Sequence, residues 1–185
     1  CPPEGLVAAN YSSVSAAQGL FDFLHFSAEA RIGNGGNGGT YELDIHLVSP
    51  FQVITSSQYT WQNGVTEPFT LVYNPNAVGN NQFVWTLNGI SLYLDPQNPG
   101  AGAPFATTFD GIWIFARGGT GSQPGAISVE NLILNGEAIL NRIDIGVDEQ
   151  TDNLVISGVD LNSGFTLTGQ LTMGWPGTRP NNSSI

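Results

Sequence analysis

Along this chain apolar side chains recur mostly at every second position, in short runs cut by Gly, Asn, Pro and Asp, and helical periodicity is nearly absent. Strands are predicted near residues 20–26, 28–33, 40–48, 51–61, 68–73, 82–87, 90–95, 109–116, 126–134, 137–146, 153–157 and 164–172, with one short helical turn from Ser12 to Gln18. Two segments, "FVWTLNGISLYL" and "VENLILNGEAIL", place Leu-Asn-Gly between apolar runs. Asn88-Gly89 and Asn135-Gly136 are residues suited to a type I′ turn, in which both central positions have positive φ, so each segment is predicted to be a tight hairpin.

The stretch "TFDGIWIFARGG" is apolar on both faces, with Ile112 and Ile114 on one and Trp113 and Phe115 on the other, and is expected in a sheet interior. "TYELDIHLV" alternates instead, with Tyr41, Leu43, Ile45 and Leu47 facing one way and Glu42, Asp44 and His46 the other, as on a half-exposed strand. "GNGGNGG" (33–39), "DPQNPGAGAP" (95–104) and "RGGTGSQPG" (117–125) read as hairpin loops. Many short strands with frequent turns point to an all-β fold, a two-layer antiparallel β-sandwich of jelly-roll type. The weakly patterned start, residues 1–19, reads as a connector, and residues 20–185 as a single domain.

Charge narrows the partners. Arg31, Arg117, Arg142 and Arg179 are the only cations, there is no Lys, and the net charge is −11. Binding to nucleic acid requires clustered basic side chains, so it is excluded as a function. Polarity comes mainly from Asn, Gly, Thr, Ser and Gln, a neutral surface that suits an extracellular or cell-surface protein. No apolar run is long enough for a transmembrane helix. A chain beginning at Cys is expected to be processed or trimmed; Cys1 could carry a lipid, pair with another chain or be a free end.

Candidate chemistry is sparse. Glu42, Asp44 and His46 could hold a metal or do acid–base work, as a hydrolase would require, but read more simply as a solvated strand face. His25 reads as a strand-face or core histidine. "DIGVDEQTDN" gathers Asp144, Asp148, Glu149 and Asp152, oxygen ligands that could bind Ca²⁺, without the glycine spacing of a helix-loop-helix calcium loop. No other cofactor is indicated. Tyr59, Trp61 and Trp175 are the aromatic residues freest to stack on sugar rings, whereas Trp85 and Trp113 fall in phase with core positions. Asn10, Asn181 and Asn182 fit the N-glycosylation pattern.

The segments "NLILNG" (131–136) and "GFTLTGQLTMGW" (164–175), within residues 127–185, resemble bacterial secreted choice-of-anchor domains of PEP-CTERM-type exoproteins. The resemblance implies export, surface association and no catalytic residues. Two functions follow as expectations. The first is a structural subunit of a surface fibre or matrix, in which Leu6, Val7, Ala8, Ala9, Tyr11 and Val14 form an intersubunit strand in a neighbouring copy and build a head-to-tail polymer. The alternative is a monomeric module that binds polysaccharide, with Ca²⁺ assisting.

Overall fold

The computed structural model describes residues 5–22, 24, 26–32, 43–48, 51–79, 82–96, 108–119, 124–146, 151–177, 179–180 and 183–185. Cys1, Glu42, Asp148, Glu149, Asn181, Asn182, His25 and the "GNGGNGG" loop lie outside the described residues, as does most of the loop from 95 to 104. No helix among the described residues is long and apolar enough to cross a membrane.

Among the described residues, fourteen strands and one short helix make an antiparallel all-β sandwich. In chain order these are β1 (Val7–Tyr11), α1 (Val14–Gln18), β2 (Phe26–Ile32), β3 (Leu43–Leu47), β4 (Gln52–Ser57), β5 (Thr66–Tyr73), β6 (Phe83–Leu87) and β7 (Ile90–Leu94). There follow β8 (Gly111–Arg117), β9 (Ala126–Leu134), β10 (Glu137–Ile139), β11 (Ile143–Ile145), β12 (Thr151–Ser157), β13 (Phe165–Gly174) and β14 (Ser183–Ser184). The first sheet has the order β1-β12-β8-β14-β2-β3-β4. The second runs β10-β9-β13-β5-β6-β7, with β11 also paired to β9.

Alternation builds the core. β13 buries Phe165, Leu167, Leu171 and Met173 and turns the intervening Thr and Gln residues outward. Facing them across the sandwich are Ala30 and Ile32 of β2, Leu43 and Ile45 of β3, Ile114 and Ala116 of β8, and Leu154 and Ile156 of β12. Both Asn-Gly turns form as expected: Asn88 and Gly89 have φ of 43° and 83°, Asn135 and Gly136 of 52° and 86°. They set the registers Leu87↔Ile90 and Leu134↔Glu137. The Asn135 amide oxygen also accepts the Thr166 N–H (2.8 Å), tying the second turn to β13.

Three local expectations are corrected. Residues 137–146 are not one strand: the ladder to β9 breaks between Ile139 and Ile143, and Leu140 is 95% exposed. The segment "LVAANY", read as part of a connector able to pair with a neighbour, pairs within its own chain, Val7–Tyr11 lying residue for residue against Ser157–Asn153 at one end of the first sheet. The β3 face bearing Asp44 and His46 is covered, Asp44 being only 1% exposed.

Candidate functional site

Among the described residues the first sheet is interrupted in its middle. β14 contributes only Ser183 and Ser184 between β8 and β2, pairing with Ile32 and Arg31 on one side and Arg117 on the other. Ile185 adds one further step, exchanging both backbone hydrogen bonds with Ala30 (2.8 and 2.9 Å). Beyond that point no described residue pairs with β2 from Phe26 to Glu29 on this side, nor with β8 from Gly111 to Phe115. Because β14 is antiparallel to both neighbours, β2 and β8 run parallel to each other and flank a slot one strand wide.

The slot opens on a cavity of about 620 Å³. Its walls are Ser27–Glu29 and Gly111–Phe115, and Ile185 closes one end. Phe21 closes the other, packed so tightly on Gly111 that a Cβ there would lie 2.9 Å from its ring. The floor is the inner face of the second sheet, including Phe69, Phe83, Trp85 and Phe165. Trp85 is buried, and its indole N–H has no acceptor among the described residues.

A charged cluster sits at the rim. β2 and β3 pair Glu29 directly opposite Asp44 and Ser27 opposite His46, so these side chains share the face turned away from Ala28, Ala30, Leu43 and Ile45. His46 Nδ1 lies 2.7 Å from Asp44 Oδ1 and 3.9 Å from Glu29 Oε2. Arg31 Nη2 is 3.9 Å from the other Asp44 oxygen, Oδ2. Burial raises the Glu29 carboxyl above its ordinary pKa, and the neighbouring Asp44 charge raises it further, against the opposing pull of Arg31, His46 and Arg117. Of the predicted Glu42, Asp44 and His46, Glu42 lies outside the described residues, while Glu29 from the adjacent strand joins the other two; Glu29 was missed because only the β2–β3 register reveals it.

The remaining candidates lie elsewhere. Trp61 is 4% exposed and donates its indole N–H to the Arg31 carbonyl (3.0 Å), so it offers no stacking face. Tyr59 packs edge-on against Trp61 and accepts a hydrogen bond from Asn88 (3.0 Å), and Trp175 is half-buried beside Asn63. These three do not form an open aromatic platform. Asp144 is exposed and ion-paired with Arg142 (3.2 Å), while Asp152 Oδ2 accepts the Asp144 N–H (3.3 Å). Asn10 is exposed on β1 but uses both ends of its amide, donating to the Arg142 carbonyl and accepting from Asn141. Leu6, just before β1, and Ala8 on it pack against the core, and Val7 is half exposed at the sheet edge.

No protein-family model matches this chain, and no curated protein matches it either.

Proposed function

We propose that this protein is a non-catalytic structural subunit of an extracellular fibre or matrix, and that copies join when the N-terminal strand of one enters the slot of the next. The observation that carries this reading is the slot: two parallel strand edges, with which no described residue pairs on that side, lead to a largely apolar cavity. Such an opening presents backbone donors and acceptors on both sides, as β-strand addition requires. The segment expected as donor, Val7–Tyr11, is held in its own chain by one ladder only and ends the sheet. In the slot it would gain a second ladder.

Register tightens the proposal. If Ala8–Ser12 of a neighbour continues the direction of β14, Ala9 falls opposite Ala28 and Ile114, and Tyr11 opposite Phe26 and Ile112. Both then face the cavity, with Ala8, Asn10 and Ser12 outward. Tyr11 also brings a phenol oxygen able to accept from the unsatisfied Trp85 N–H. The lysine-free composition, with polarity mainly from Asn, Gly, Thr, Ser and Gln, and the resemblance of residues 127–185 to exported surface domains are in keeping with assembly outside the cell.

The test mixes two single-cysteine proteins, Ala9→Cys and Ala28→Cys, each with Cys1→Ser. Directly opposed residues on antiparallel strands have Cα atoms about 4.5–5.5 Å apart, within disulfide reach. Oxidation is expected to give the mixed dimer selectively. Only homodimers, or no cross-linking under conditions of assembly, would refute the register.

A further inference from the structure

We propose that Glu29, Asp44 and His46 form a binding site for a first-row divalent metal ion, with Zn²⁺ the best fit. One ligand atom from each of the three lies within 4.8 Å of the other two, so a small inward adjustment would bring all three to about 2.0–2.2 Å from a common centre. The fold assembles this set deliberately in backbone terms, since the β2–β3 register puts Glu29 directly opposite Asp44, and His46 follows two residues later on the same face. Carboxylates placed directly opposite each other repel, and Asp44 is withdrawn from water, so the arrangement calls for a cation at that point.

Arg31 supplies one positive charge, from the Asp44 side of the pair. It stands 3.9 Å from Asp44 Oδ2, which leaves Oδ1 directed at His46 and orients the carboxylate as an outer-shell partner does. An imidazole with two carboxylates suits Zn²⁺, whereas Ca²⁺ takes oxygen ligands alone. Glu29 and His46 also line the mouth of the slot, which provides an entry path and leaves room for water as a fourth ligand. The ion would clasp β2 to β3 beside the slot. The proposal stands on these three side chains whether or not a neighbour's strand occupies the opening.

The experiment titrates tag-free, chelator-treated protein with ZnCl₂ by calorimetry and follows the imidazole resonances by NMR. The chain has two histidines, His25 and His46, so one serves as reference for the other. One Zn²⁺ per chain is expected, with a shift confined to the His46 resonance and binding at least about tenfold weaker in Glu29→Gln and in His46→Gln. Asp144→Asn should leave binding unchanged. Failure to bind stoichiometrically, binding equal in Glu29→Gln and wild type, or a His46 resonance unmoved by saturating Zn²⁺ would overturn the site. If either variant misfolds, the His46 resonance of wild-type protein decides alone.

Discussion

Locking the N-terminal strand onto its own sheet is expected to abolish assembly. In the closed chain Ala9 lies directly opposite Val155, a spacing suited to a disulfide in the variant Cys1→Ser, Ala9→Cys, Val155→Cys. The bridge would close a loop of about 150 residues, worth about 5 kcal/mol by loop entropy. Shortening the buried Val155 returns about 1 kcal/mol of that. For a chain of this size the net 4 kcal/mol or so raises Tm by about 8–16 °C. Against this, entry into a neighbour's slot exchanges one five-residue ladder for two, a gain of about five hydrogen bonds or roughly 5 kcal/mol before the cost of association. While oxidised, the locked chain cannot make that exchange. Light scattering and negative-stain microscopy of the same sample before and after reduction give the answer: monomers when oxidised, polymers when reduced. Equal assembly in both states would refute strand exchange through β1.

Three further outcomes follow from the packing and the charge cluster. Gly169→Ala should cost about 1–3 kcal/mol in denaturant unfolding, because the added Cβ would lie 2.7 Å from the Phe69 ring and 2.8 Å from Leu132 inside the core. Asn135→Ala should cost about 2 kcal/mol, through loss of the bond to Thr166 N–H and strain at a positive φ, with unfolding midpoints as the measure. Glu29 has a folded-state pKa above its unfolded value near 4.5, so its contribution to stability is fully present below that pH and lost as pH rises through the raised value. Chemical unfolding across this range in EDTA should show the decline, and Glu29→Gln should flatten it.

The parts of the fold legible in the sequence were those governed by local rules. Asn88-Gly89 and Asn135-Gly136 announce their turns because few residue pairs tolerate two successive positive φ values, and β8 announces its interior place by being apolar on both faces. What escaped depends on register and coverage. Alternation assigned Asp44 and His46 to one face but carried no information on whether anything lies over it, and Glu29 joins them only through pairing across a long connection. That Val7–Tyr11 can be a strand was legible, but its pairing with β12 of its own chain escaped, because nothing in Ala8, Ala9 and Asn10 indicates which edge they meet. The slot itself is a consequence of sheet order: nothing in "NNSSI" indicates that Ser183 and Ser184 separate two parallel strands.

The central claim is tested most directly by the structure of the assembled full-length chain, determined by electron cryomicroscopy. The account predicts a filament in which an added strand, antiparallel to both β2 and β8, fills the gap beyond Ile185 and carries Tyr11 of a neighbour against Trp85. Monodisperse particles at high concentration, or a polymer whose slot holds no strand from a neighbouring copy, would contradict it.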